Sequence, residues 1–220
     1  SRLRSSNAYH TGKGRSKENS NIVYGFCLVK GKSKHLMEDY HHAEFKRINR
    51  LDLGFFAIYD GHLSHTVPHY LQNHLFQTII SQVVFLFLFI WSIFLLPIPF
   101  MVLTPDKWLC CFQSEFSTNP IDAIRKAYEL TDNVILQKSS DLGVGGSTAV
   151  TAILMNGRRL LVANVGDSRA VLCRGGNAIQ LSMDHEPESE KMHIESRGGF
   201  VSVLPGTFSF NCMKMFLFVS

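Results

Sequence analysis

The sequence predicts an α+β fold, with antiparallel strands joined by hairpins and helices on separate stretches, and three observations point to it. The first is STAVTAILM, then Asn156-Gly157, then RRLLVANV: two apolar runs around a dipeptide that readily adopts positive φ at both turn positions. The second is an amphipathic helix starting near residue 120. Asn119 can cap it, Pro120 suits the first helical position and Asp122 favours the positive end of the dipole. Ile121, Ile124, Tyr128 and Ile135 share one face, and the helix is expected to end near Lys138. The third is FFAIYDGHLSHTVPHYL, residues 55 to 71, where an apolar strand stops at Asp60-Gly61-His62. Helical spacing then resumes at Val67, Tyr70, Leu71, His74 and Leu75, with Pro68 tolerated in the first turn.

The remaining elements follow in order. NIVYGFCLVK, Asn21 to Lys30, has strand-forming residues, and Gly54 to Tyr59 reads as a second, buried strand. After the Asn-Gly hairpin, SRAVLCR makes a third strand that turns at Gly175-Gly176 toward NAIQLS. Pro187 to Arg197 carries acids early, an arginine late and Gly198-Gly199 just beyond, the pattern of a short helix with a glycine stop. No internal repeat is visible.

Composition narrows the function. The chain has 220 residues, 45% of them hydrophobic, enough for a real core. Its formal charge of +4 comes from the first 20 residues, where Arg2, Arg4, Lys13, Arg15 and Lys17 face only Glu18 (5 − 1 = +4). The body is therefore electrically neutral. The Ser-rich basic start carries one aromatic residue and no apolar face, so residues 1–20 read as a solvated tail and nucleic acid is not expected as a partner. Five cysteines without a Cys-x-x-Cys pair indicate neither a zinc site nor a disulfide framework, and reduced intracellular thiols are expected. No apolar leader opens the chain, which begins at Ser.

The acids cluster at strand ends. Glu38 and Asp39 are adjacent, Asp60 closes one strand, and Asp167 in ANVGDSRA closes another. Carboxylates so placed can converge on one edge of a sandwich, and hard cations such as Mg²⁺ and Mn²⁺ take a few of them with waters and a backbone carbonyl. Gly61 lacks a Cβ, which lets its carbonyl approach an ion, and His62 is placed to handle a proton. Taken singly, each residue also has an ordinary reading. Asp-Gly after a strand is a common turn, His62 a polar surface residue, Glu38-Asp39 a solvated pair, and Asp167 an Asx turn before Ser168.

Taken together, HLMEDYH (35–41), FFAIYDGHLSH (55–65), GGSTAVTAILMNGRRLLVANVGDSRAVLCRGG (145–176) and DHEPESEKMHIESRGGFV (184–201) closely resemble the metal-dependent Ser/Thr protein phosphatases of type 2C in their plant form. The resemblance covers roughly residues 21–80 and 114–206. It implies an α-β-β-α four-layer sandwich with antiparallel sheets, here incomplete, and a pair of Mg²⁺ or Mn²⁺ ions at one end. By the same resemblance Asp60 bridges the two ions, the Gly61 carbonyl binds one, Glu38 and Asp39 act nearby partly through water, and Asp167 matches a weaker third position. His62 matches the general acid that protonates the departing serine or threonine oxygen. Phosphorylated proteins are the implied substrates, a monomer the implied state, and the cytoplasm or nucleus the implied compartment.

The chain also departs from the family pattern. Where an arginine often holds the substrate phosphate, the candidates are Lys32 and Lys34, and Ser64 stands where glycine is usual. Val83 to Leu103 is 21 residues without a charge, long enough to cross a bilayer. Pro97 and Pro99 break its last third, and a span there would put the two halves of one sandwich on opposite sides of a membrane, so membrane insertion is not favoured. Residues 81–113 therefore read as an insertion, and 207–220 as an unrelated apolar tail, both attributed to intron or mispredicted exon sequence. Further metal aspartates that family members carry in later Asp-Gly and Asp-Asn contexts are not among these residues. Impaired activity is expected on that ground, and the alternative is an inactive relative acting as a binding or membrane-tethered fragment.

Overall fold

The computed structural model describes residues 9–19, 21–30, 37–48, 50–81, 115–201 and 212–219. Lys32, Lys34 and the apolar stretch 83–103 lie outside them. Among the described residues no helix is long and apolar enough to cross a membrane. In chain order the elements are β1 (Tyr9–Arg15), β2 (Ile22–Val29), β3 (Tyr40–Ile48), β4 (Leu51–Tyr59), β5 (Gly61–His62), α1 (Thr66–Ser81), α2 (Glu115–Thr118), α3 (Pro120–Gln137) and α4 (Ser139–Leu142). There follow β6 (Gly146–Ser147), β7 (Ala149–Met155), β8 (Arg159–Val165), β9 (Val171–Arg174), β10 (Asn177–Gln180), α5 (Lys191–Ser196) and β11 (Cys212–Val219). The chain divides into two units, Ser1–Gln72 with Gly143–Ser220, and Asn73–Leu142.

The larger unit holds the sheets, and every pairing in them is antiparallel, as the α+β reading expects. One sheet has the order β3-β4-β7-β8, and a second has β1-β2-β11. The Asn-Gly hairpin is the β7–β8 turn, with Asn156 at φ 50° and Gly157 at φ 65°. Ile22, Phe56 and Leu154 form a buried cluster between the two sheets, with Tyr24, Ala43, Phe45, Ala152 and Leu160 packed against it. Tyr24, Phe45 and Phe56 lie with ring centroids 5.5 to 5.8 Å apart. β4 and β7 carry nearly unbroken apolar runs because they occupy the two central positions of the sheet, and almost every residue of β7 is buried.

Two expectations need correction, and one is met. Tyr9–Arg15, inside the stretch read as tail, is a strand paired along its length with β2. Its glycines Gly12 and Gly14 lie under the rings of Phe26 and Tyr24, so the partner strand supplies the apolar surface that β1 lacks. β9 pairs antiparallel with β10 around the Gly175-Gly176 turn, as expected, the two forming a two-stranded sheet. The helix expected over 187–197 is confined to Lys191–Ser196, preceded by a turn.

The smaller unit is helical. Asn119 caps α3 as expected, its side chain accepting from the Asp122 amide, with Pro120 in the first turn. The expected face is met at Ile124, which is buried, and at Tyr128 and Ile135, which are half-buried, while Ile121 is 61% exposed; Ala123, Ala127 and Thr131 complete the buried stripe. The two alanines are fully covered, so small side chains share the inward face with Ile124.

Candidate functional site

The site follows from strand register. β3 pairs with β4 so that Tyr40 faces Tyr59, which makes residues 39 and 60 the next pair outward. β4 pairs with β7 through Ile58 and Val150, which brings Asp60 opposite Thr148. β7 pairs with β8 through Ala149 and Val165, which brings Thr148 opposite Gly166. Asp39, Asp60, Thr148 and Gly166 thus stand in one row across the end of the sheet, and Asp167 follows directly. Because side chains alternate along a strand, Asp39 and Asp60 share the inward face of Phe45 and Phe56.

Burial makes this row electrostatically unusual. Asp39 is 4% exposed, and its Oδ1 has no hydrogen-bond partner among the described residues. Its pKa is pushed up to about 7, first by burial and then by the neighbouring Asp60 carboxylate, with which its protonated form makes a hydrogen bond. Asp60 is pushed up as well, by burial most of all. His62 and the Asp39 hydrogen bond oppose that rise, and the charges of Asp167 and Glu38 add to it. The structure therefore brings Glu38, Asp39, His62 and Asp167 within electrostatic reach of Asp60. Lys32 and Lys34 are the two candidate site residues outside the description.

Gly61 and His62 are held by short contacts. A Cβ on Gly61 would lie 2.5 Å from the Glu38 carbonyl oxygen and 2.7 Å from Pro68 Cγ, so only glycine lets the Glu38-Asp39 segment close against the Asp60 turn. This adds a packing reason to the one expected from the sequence. His62 Nδ1 lies 3.2 Å from the Asp60 carbonyl oxygen and 3.9 Å from Asp60 Oδ1. A carbonyl only accepts, so Nδ1 carries the proton and Nε2 is the nitrogen left for proton transfer. The ring is 60% exposed, which suits a group that meets an incoming substrate. Ser64, in the glycine position of the family pattern, accepts a hydrogen bond from the Thr66 amide at the start of α1.

Sequence reasoning missed the groups that hold the Asp167 turn. Asn164 Nδ2 donates to the carbonyls of Gly166 (2.9 Å) and Met183 (2.7 Å). The His185 amide donates to the Gly166 carbonyl at 2.9 Å, and the Gly166 amide to His185 Nδ1 at 3.4 Å. Arg169 grips Asp184 with both its Nε and a terminal nitrogen, Nε donating to Oδ2 at 2.9 Å. Asp184 is held below the usual carboxylate range by that hydrogen bond and the guanidinium charge. None of these residues sits at a strand-end Asp-Gly, so only the register links them to the site.

A divalent cation fits the chemistry of this donor set. Burial raises the proton affinity of both inward-facing carboxylates, Asp60 adds to the rise at Asp39, and a buried Asp39 oxygen lacks any donor; a cation relieves both. Among the described residues no three His, Cys, Asp or Glu side chains converge on a single ion position. In this arrangement a hard cation would fill its remaining positions with water. A cavity of about 710 Å³ opens elsewhere, at the hairpin end, lined by Arg15, Tyr24, Phe45, Arg47, Asp52 and Asn156 among others. It lies at the other end of β4, roughly 26 Å from the Asp39–Asp60 pair at ~3.3 Å per residue, and of its acids Glu18 and Asp52 are paired with Arg47.

The fold and the acidic row define a class. The protein phosphatase 2C family pattern matches residues 24–211, and the chain belongs to the protein phosphatase 2C family. Probable protein phosphatase 2C 9 of Arabidopsis thaliana is 52% identical over 196 residues, 89% of this chain and 58% of that relative. Probable protein phosphatase 2C 62 of Oryza sativa subsp. japonica is 48% identical over 206 residues, 92% of this chain and 60% of that relative. The chain thus spans under two thirds of the length of these relatives. Among solved structures, a serine-threonine phosphatase 2C from Toxoplasma gondii superposes with a TM-score of 0.55 at 22% identity, over 84% of this chain and 58% of that one. That likeness concerns the α+β sandwich fold.

Proposed function

We propose that this chain carries the N-terminal part of a metal-dependent protein serine/threonine phosphatase site. Asp60, the Gly61 carbonyl, Glu38, Asp39 and Asp167 would hold the metal, and phosphorylated proteins would be the substrates. The observation that carries the reading is the Asp39–Asp60 pair, two carboxylates forced together at an inward-facing sheet end where one holds its proton to about pH 7. Such a pair ionises fully only when positive charge is supplied. Bound there, Mg²⁺ or Mn²⁺ would acidify water for in-line attack on phosphorus and neutralise the phosphoryl oxygens.

The chain's own residues do the rest. Asp60 and Asp39 provide negative charge at fixed spacing, set by adjacent strands rather than by flexible loops. His62 keeps its Nδ1 proton on the Asp60 carbonyl and, in its doubly protonated form, donates the Nε2 proton to the departing serine or threonine oxygen, which leaves Nε2 with its lone pair. Lys32 and Lys34 are proposed to attract the phosphate as point charges. No covalent phosphoenzyme is required. A single soluble chain in the cytoplasm or nucleus is the setting this reading assumes, with 81–113 an insertion; residues 212–219, read from the sequence as an unrelated tail, instead pair with β2.

The test is hydrolysis of a phosphothreonine peptide or an aryl phosphate with added Mn²⁺, wild type beside Asp60→Asn. A metal-dependent rate that disappears in the variant is expected. Equal background rates in both chains would end the reading for this polypeptide.

A further inference from the structure

We propose that Thr148 is a positioning residue of this site, which ties the Asp60 turn to the Gly166–Ser168 turn and so fixes the separation of Asp60 from Asp167. The inference rests on the reading of Asp60 and Asp167 as cation ligands. Thr148 stands between them in the row across the sheet end, and it is buried, at 7% exposure.

The local hydrogen bonding makes its hydroxyl hard to replace. An antiparallel pair of this kind normally exchanges two backbone bonds. Here the Thr148 amide donates to the Asp60 carbonyl at 2.9 Å, but the return bond is different: the Asp60 amide donates to Thr148 Oγ1 at 3.1 Å. The Thr148 carbonyl, the usual acceptor, instead receives the Ser147 hydroxyl at 2.7 Å. Thr148 Oγ1 also shares a 2.7 Å hydrogen bond with Ser168 Oγ, next to Asp167. One oxygen therefore contacts the neighbourhoods of both acids. The methyl group does the complementary work: a Cβ on Gly166 would lie 2.7 Å from Thr148 Cγ2, so the Asp167 turn is seated directly on the threonine.

Groups outside the ligand set that orient it shift metal affinity by about tenfold or more when removed, which sets the expected effect. The 220-residue chain is titrated calorimetrically with Mn²⁺ in four forms: wild type, Thr148→Val, Thr148→Ser and Ser168→Ala. Thr148→Val keeps the shape and the contact with Gly166 but loses the hydroxyl, and is expected to bind Mn²⁺ about tenfold more weakly. Thr148→Ser keeps the hydroxyl and should stay within about twofold of wild type, and Ser168→Ala, which cuts only the far bond, should lose about threefold. A Thr148→Val chain with wild-type Mn²⁺ affinity overturns the proposal, even if it unfolds more easily in EDTA, because a purely structural role lowers stability alone. Should Thr148→Val not fold, unchanged affinity in Ser168→Ala overturns it. If wild type itself takes up no Mn²⁺, the metal reading fails separately. The link is then judged by amide hydrogen exchange in EDTA: faster exchange in Thr148→Val at both Asp60 and residues 166–168 supports it, and faster exchange at neither or only one overturns it.

Discussion

Replacing Asp39 by asparagine in the metal-free protein is expected to make it more stable at pH 8 and to leave it nearly unchanged at pH 4. In the folded chain the Asp39 carboxyl holds its proton up to about pH 7, against 3.8 when it is free of the fold. The folded state therefore binds that proton more tightly than the unfolded state, and stability falls as pH rises through the window from about 4 to about 7. A shift of about three units corresponds to about 4 kcal/mol at ~1.4 kcal/mol per unit, shared between Asp39 and Asp60 because they titrate as a pair. That is a large part of the 5–15 kcal/mol roughly typical of a folded domain. Asparagine keeps the shape, can donate to the Asp60 carboxylate and carries no charge. Urea unfolding in EDTA at pH 4, 6 and 8 reads the difference: with a slope of about 2 kcal/mol/M, the variant midpoint should exceed wild type by up to about 2 M at pH 8. Saturating Mn²⁺ should narrow or reverse that gap, since the wild type has the ligand to gain from it. The reasoning is refuted if the difference between variant and wild type is the same at pH 4 and pH 8, or if asparagine destabilises the metal-free chain at pH 8.

Gly166→Ala should cost about 2 kcal/mol in urea unfolding, because φ at 166 is +99° and the new methyl meets Thr148. Arg169→Ala should lower thermal stability above about pH 4, and the difference should fade only as pH falls below 3.8, because Asp184 is held below its ordinary range and its stabilising charge is lost when acid protonates it in the folded chain. Asn156→Ala should destabilise by about 1 kcal/mol in the same assay, since Asn156 Oδ1 accepts from the Asp52 amide at 2.9 Å and its φ of 50° suits asparagine better than alanine.

Much of the larger unit was legible because its signals are local. Asn156-Gly157 between apolar runs announces β7 and β8, and the stop at Asp60-Gly61 announces both the end of β4 and an acid there. What was not legible depends on partners distant in sequence. YHHAEFKRI, which becomes β3, has no clean alternation and is a strand because β4 pairs with it, and only that pairing sets Asp39 beside Asp60. Thr148 reads as an ordinary β-branched residue at the head of an apolar strand; its role emerges once register carries it opposite Asp60. Gly12 and Gly14 argue against a strand until Tyr24 and Phe26 lie across them. On α3 the large apolar residues point to the buried side at Ile124 but include the exposed Ile121, and the fully covered Ala123 and Ala127 carry no hydrophobic signal large enough to find them.

The row of residues 39, 60, 148 and 166 has a mechanical consequence. Neighbouring strands repeat at ~4.8 Å, so the sheet acts as a ruler and the acids can be displaced only in whole notches. Slipping β3 by one position against β4 would turn Asp39 to the opposite face and leave Asp60 without its companion. Lengthening the loops at the hairpin end, by contrast, moves no mark on the ruler, so that end can diverge freely while the graduations at the other stay put.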